Sequence, residues 1–168
     1  VFAWNAKREK DTVLTPFDSI KYHKQILQTN FAAMDPHTGE VKCWVGGIDY
    51  KWFKFDHVTQ MRQVGSSFKP FVYTLAIDEA GYTPETVIPG GCLTLGGKTI
   101  CGGAGTVSYC LAHSKNVAAW RLIGQVGVKR TIEFIQSCGI KTKVPPYYSI
   151  ALGAAEIPLM EMLQGYTM

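Results

Sequence analysis

The stretch Arg62-Gln63-Val64-Gly65-Ser66-Ser67-Phe68-Lys69-Pro70-Phe71 constrains this chain more than any other, because it opens a helix that must be buried and yet carries a lysine. Phe68, Phe71, Val72, Leu75 and Ala76 recur at helical spacing and turn one face toward a core. Gly65 permits a sharp entry turn just before that face begins. Lysine is almost never fully buried without partners, so Lys69 either snorkels to solvent or joins a polar cluster in a cleft. Ser66 and Lys69 stand at i and i+3, on one face, where Lys69 Nζ can reach back to Ser66 Oγ. A lysine whose pKa is lowered by desolvation can take the proton of a serine hydroxyl, which makes the pair a candidate for acyl transfer. The same spacing also fits an N-cap serine followed by a surface lysine.

Downstream, His113-Ser114-Lys115-Asn116 separates two apolar segments, Val107 to Ala112 and Val117 to Val126, and belongs in an inter-helix turn. From there Ser114 can pass a proton between Lys69 and a leaving amine, and the Asn116 amide can hold Lys69 and a substrate carbonyl. An ordinary capping turn would use the same residue types.

Ser-x-x-Lys followed by Ser-x-Asn is the motif set of the penicillin-binding protein and serine β-lactamase superfamily. The surrounding text is similar to the transpeptidase domain of class A penicillin-binding proteins. It comprises Met34-Asp35-Pro36-His37-Thr38-Gly39-Glu40-Val41 with Trp44-Val45-Gly46-Gly47, then the serine–lysine stretch, then Ala151-Leu152-Gly153 with Glu156. The resemblance runs from about Phe31 to the C-terminus. It implies an α+β fold, helices packed on an antiparallel sheet, and a peptidoglycan D,D-transpeptidase that β-lactams acylate. It assigns Ser66 as nucleophile, Lys69 as general base, Ser114 as proton relay and Asn116 as the group orienting Lys69 and substrate, with Gly65 and Ser67 in substrate binding. No metal or cofactor is implied. The family's third motif, Lys-(Ser/Thr)-Gly, is absent, and with it the strand that would complete the oxyanion hole. Loss of one such donor typically costs about two to three powers of ten in rate. Residues 1–168 are therefore expected to form part of a transpeptidase domain, inactive or nearly so alone. The resemblance also implies an upstream glycosyltransferase domain and membrane anchor, and hence an extracytoplasmic, membrane-tethered parent.

Related chemistry remains open. A D,D-carboxypeptidase or a β-lactamase uses the first two motifs but resolves the acyl-enzyme with water, and Glu156 is the nominee for the extra base a lactamase needs. A non-catalytic wall-peptide sensor or scaffold is the reading from another class. Partners implied are stem peptides, β-lactams and other wall-synthesis proteins.

With 46% hydrophobic residues the chain can bury a sizeable core, and no charged or Ser/Pro-rich run marks a linker. The formal charge of +4 is modest and its lysines are scattered, which argues against nucleic acid as a partner. No run of about eighteen apolar residues occurs. Five cysteines and four histidines show no zinc-ligand spacing. Cys92 and Cys101 bracket a glycine-rich segment and are able to pair in an oxidising compartment, without the sequence requiring it. Cys43, Cys110 and Cys138 read as buried thiols, and His113 as structural.

Thr15-Pro16-Phe17-Asp18 predicts a capped helix running to about Leu27 and packing on the sheet. Strands are predicted over Gln28 to Met34 and Glu40 to Val45, joined by the turn Asp35 to Gly39. Lys51 to Thr59 reads as an aromatic packing segment. The serine helix is predicted from Ser67 to about Ala80, ending at Gly81. Ile88 to Gly105 resembles a phosphate loop only in composition and reads as a flexible excursion over one wall of the cleft. Further helices are predicted at about Val107 to Ala112, Val117 to Val126, Val128 to Ser137 and Glu156 to Tyr166. A hairpin short of sheet partners would leave an unpaired edge and an apolar face.

Overall fold

The computed structural model describes residues 1–167. Its core is helical and is centred on α2, Lys69–Ala80, which follows a single 3-10 turn, Gly65–Phe68. The serine helix thus starts as a tight turn, two residues ahead of the predicted α-helical start, and Ser66 lies in that turn. Pro70 sits at the helix start, where its fixed φ suits the first turn. Gly81 ends α2 in the left-handed conformation and donates its N–H to Ala76 O.

Around α2 pack α3 (Val107–Ala112), α4 (Asn116–Val126), α5 (Val128–Ser137) and a second 3-10 turn, Tyr148–Leu152. Phe68, Val72, Ala118, Leu122, Ile135 and Ile150 are essentially fully buried where these elements meet. Both α3 and α5 have the predicted limits, and α4 begins one residue early. The Thr106 hydroxyl caps α3 by accepting from Tyr109 N at 3.2 Å.

Among the described residues strand pairing is antiparallel and divided into four two-stranded ladders. The first joins β1 (Phe31–Met34) to β2 (Val41–Val45) through a turn in which Asp35 Oδ1 accepts from His37 N and Thr38 N. The second joins β3 (Arg62–Gln63) to the last strand, β8 (Glu156–Ile157). The third joins β4 (Val87–Ile88) to β7 (Gly105–Thr106), and the fourth β5 (Gly91–Leu95) to β6 (Lys98–Gly102). Finally α6, Leu159–Tyr166, packs against β1.

Several expectations are corrected. The first helix, α1, spans Pro16–Lys24 and stops short of Leu27; it has no buried residue and does not seat on a sheet. Its Tyr22 and His23 instead meet Phe2, Trp52 and Phe53. Gln28 to Asn30 are not in a strand, and β2 starts at Val41. The glycine-rich segment is an ordered hairpin, β5–β6, cross-linked by the Cys92–Cys101 disulfide. Its glycines mark a two-residue turn, Gly96-Gly97, both at positive φ. Glu156 does not begin a helix: Pro158 precedes Leu159 in extended geometry and separates β8 from α6. Of the three free thiols only Cys110 is fully buried, whereas Cys43 and Cys138 are half-buried.

Candidate active site

Among the described residues Lys69 is the one buried charged side chain, 1% exposed at the first turn of α2. Its ammonium donates to three acceptors: Ser114 O at 2.6 Å, Asn116 Oδ1 at 2.7 Å and Ser114 Oγ at 2.9 Å. No carboxylate hydrogen-bonds to it among the described residues, and burial pushes its pKa below the ordinary lysine value. Two of the acceptors are carbonyl-type oxygens that only accept, while the third is a hydroxyl that can also donate. A charged Lys69 fills all three with N–H bonds. A neutral Lys69 keeps the two carbonyl bonds and takes the Ser114 hydroxyl proton on its lone pair. Either protonation state is therefore satisfied without rearrangement, which is what a group that gains and loses a proton requires.

The acceptors come from the junction of α3 and α4. Ser114 N donates to Leu111 O at 2.9 Å and Lys115 N to Cys110 O at 2.8 Å, the paired bonds of a Schellman helix end. The left-handed position of such an ending usually holds glycine, yet here Ser114 occupies it with φ 51°. That conformation brings the carbonyl and the hydroxyl of one residue to the same lysine nitrogen. Asn116 opens α4 two residues on and adds its amide oxygen.

Ser66 is exposed in the 3-10 turn leading into α2. Lys69 makes no hydrogen bond to Ser66 Oγ among the described residues, so the reach-back bond suggested by the spacing is not formed. Bonds of this kind are often long before substrate binds. As the second residue of its turn Ser66 has an N–H without an intrahelical acceptor, free for an external oxygen. Ser67, also exposed, donates its hydroxyl back to Val64 O at 2.5 Å. The structure thus brings Lys69, Ser114 and Asn116 into contact and sets Gly65, Ser66 and Ser67 on the adjoining turn. Glu156 is exposed and pairs through its backbone with Gln63, with no bond to the Lys69 cluster among the described residues.

What fixes the serine turn is not assigned by the sequence reading. Beyond the β3–β8 ladder, Val64 N donates to Ala155 O at 3.1 Å and Gly65 N to Gly153 O at 3.0 Å. Gly153 has φ 76°, and a Cβ on it would stand 1.8 Å from Gly65 O. Two glycine backbones are in direct apposition there, and only a residue without Cβ fits. Tyr166 adds a hydroxyl donated to Ser67 O, with its ring 5.1 Å from that of Phe71. The Ala151-Leu152-Gly153 triplet is the available signal, since it is conspicuous beside Ser-x-x-Lys but has no local chemistry of its own. His113 stacks on Tyr109 at 4.0 Å, away from the Lys69 contacts.

Residues 29–148 match the family described as penicillin binding protein transpeptidase domain, and residues 1–27 match the penicillin-binding protein middle domain. The chain is 34% identical over 157 residues to penicillin-binding protein 1A of Neisseria flavescens, covering 84% of this chain and 20% of that one. With penicillin-binding protein 1A of Vibrio cholerae the identity is 32% over 178 residues, covering 98% of this chain and 21% of that one. The chain spans about a fifth of the length of these curated relatives. Its fold is similar to the crystal structure of penicillin-binding protein 1A from Haemophilus influenzae, with a TM-score of 0.76 and 31% identity over 83% of this chain and 23% of that one.

Proposed function

This chain belongs to the penicillin-binding protein transpeptidase family, and from that membership together with its site geometry we propose that it carries the acylation half of a peptidoglycan D,D-transpeptidase centre. The observation that supports this most is the buried Lys69, held by Ser114 and Asn116 in an arrangement that accommodates both of its protonation states.

Neutral Lys69 takes the proton of Ser66, and Ser66 Oγ attacks the penultimate D-alanyl carbonyl of a stem peptide. The carbonyl π electrons move onto oxygen, facing the Ser66 N–H at the start of the turn. Collapse of the tetrahedral intermediate breaks the peptide bond. The proton on Lys69 passes through the Ser114 hydroxyl to the departing amine of D-alanine, while Asn116 holds Lys69 and the peptide in register. An amine of a second stem peptide then attacks the ester and restores Ser66 Oγ–H. A β-lactam enters the first half of the same sequence, its ring amide being the bond that opens. Gly65 and Ser67 form the backbone wall against which the donor peptide lies.

In this reading residues 1–168 are one portion of a transpeptidase domain, completed by further strands that supply the third motif. The intact protein works outside the cytoplasm, tethered to the membrane, on wall peptides and alongside other wall-synthesis proteins. Among the described residues no helix is long and apolar enough to cross a membrane.

The test is covalent labelling of the full-length protein with fluorescent penicillin, followed by mass mapping. A single adduct on Ser66, lost in Ser66→Ala, is expected. Labelling of Ser66→Ala at the wild-type rate would overturn the proposal.

A further inference from the structure

The glycine-rich hairpin plays no direct part in this chemistry, yet it is built onto the helix that begins with Asn116. Four contacts run the length of that interface. Gly102, at the end of β6, lies so close to α4 that a Cβ on it would stand 2.7 Å from Val117 Cγ1, and Val117 is the residue next to Asn116. Trp120 Nε1 donates to Leu93 O at 3.1 Å, and Arg121 Nη2 donates to Gly90 O at 2.7 Å. Leu95 covers Gly124, where a Cβ would lie 3.1 Å from Leu95 Cδ1.

The hairpin itself is a two-stranded ladder with no third strand among the described residues. Such a ladder is marginally stable alone. Cys92 and Cys101 are directly opposed in it, one step from the Gly91↔Gly102 pair that closes its base, and their disulfide holds that base shut. The cross-link therefore sits beside the part of the hairpin that touches the first turn of α4.

We propose that the Cys92–Cys101 disulfide is a positioning element of the acylation site: it keeps β5–β6 clamped on α4, and α4 in turn presents Asn116, with the adjoining Ser114, to Lys69. This rests on the reading of Ser66 as the acylated nucleophile. Opening the bond requires a thiol reductant. A dithiol such as dithiothreitol delivers two electrons and two protons, leaving two protein thiols and the cyclic disulfide of the reagent. The base of the hairpin then parts, the Gly102–Val117 contact loosens, and water gains access to the first turn of α4 and to Lys69. Rehydration moves the Lys69 pKa back up toward the ordinary lysine value.

The experiment compares oxidised and dithiothreitol-reduced full-length protein, with the gain of two thiols verified by titration. Reduction is expected to lower the acylation rate by fluorescent penicillin about ten- to a hundredfold, the range for a small misplacement of catalytic groups. It should also shift the ascending limb of the pH–rate profile to higher pH, and speed amide hydrogen exchange at Val117 to Trp120. Cys92→Ser/Cys101→Ser should match the reduced protein and ignore the reductant. Reduction that leaves rate, midpoint and exchange unchanged overturns the proposal. So does a fall in amplitude at an unchanged midpoint, or faster exchange confined to the hairpin. Failure of the oxidised protein to acylate would instead remove the Ser66 reading, and the exchange comparison would still decide whether the disulfide orders α4.

Discussion

At Ser114 the backbone adopts a conformation that costs an L-residue about 1–2 kcal/mol and glycine almost nothing. Strain of this kind persists where the surroundings over-determine it, and here the return is a carbonyl and a hydroxyl on one lysine. Replacing Ser114 by alanine or by glycine removes the same hydroxyl, but only glycine also removes the strain. Ser114→Gly should therefore be more stable than Ser114→Ala by about 1 kcal/mol in urea unfolding, reversing the usual order of the two residues. Both should acylate slowly. Lys69 offers a pH test. Burial holds its pKa below the ordinary lysine value of 10.5, so the folded chain sheds this proton before the unfolded chain does. The penalty for burying the charge is fully present below the folded pKa. It diminishes as pH rises through the window up to 10.5, so this group makes stability rise with pH there. Acylation should climb over the lower part of the same window, as the neutral amine accumulates. In Lys69→Arg, where the side chain stays protonated, the ascending limb should vanish and the rate fall by a factor of about 10² or more.

Among the elements, two glycines at positive φ make a matched pair. Gly81 has φ 72° with nothing within 4 Å of where a Cβ would stand, while Gly153 has φ 76° with Gly65 O at 1.8 Å from that point. Gly81→Ala should cost about 1 kcal/mol, the conformational penalty alone. Gly153→Ala carries the same penalty plus a backbone collision that no rotamer relieves, and should lose about 3 kcal/mol or more while displacing the serine turn. Thermal unfolding of the two variants side by side separates the contributions. Legibility in the sequence divides along the same line between local and distant contacts. Helices α3 and α5 follow from apolar periodicity and local stops, and their limits were readable. The Lys69 cluster was readable in its members because Ser-x-x-Lys and Ser-x-Asn are short local patterns. The Gly65–Gly153 apposition was not, since it joins residues far apart in the chain through backbone atoms that leave no compositional trace. Hairpin β5–β6 was hidden by its own glycines. Seven glycines from Ile88 to Gly105 suggest looseness, yet the alternation Leu93, Leu95 and Ile100 around Gly96-Gly97 is a two-residue hairpin signal. The end of α1 was overestimated because Ile26 and Leu27 continue an apolar pattern, although Leu27 stays 88% exposed.

Taken whole, the described residues pair a closed helical core with strands joined only two by two. Around α2 the packing is closed, with Phe68, Val72, Leu75, Leu122 and Ile123 all fully buried. The other side is different. Hairpin β1–β2 exposes Phe31, Val41, Trp44 and Val45, each between 43% and 58%, and its ladder has two strands among the described residues. Behind the serine turn a cavity of about 450 Å³ is lined by Val64, Ser67, Ile157, Met162 and Tyr166. Apolar surface and unpaired strand edges of this kind drive association, and a two-stranded hairpin has little stability of its own. Expressed alone, residues 1–168 should therefore bind a hydrophobic dye such as anilinonaphthalene sulfonate and self-associate with rising concentration. Hydrogen exchange should be slow in α2 and α4 and fast in β1 and β2, because the two halves differ in buried apolar contact. A protein extended through the proposed completing strands should lose the dye signal and protect β1. Acylation should follow the same division: on the proposed reading the shorter chain retains Lys69, Ser114, Asn116 and the Ser66 N–H while the completing strands supply the second oxyanion donor, so its rate should fall about two to three powers of ten below that of the extended protein. A monomeric, dye-free 168-residue chain acylated at the full rate would mean that the site needs nothing beyond these elements, and that the exposed hairpin face is a finished surface.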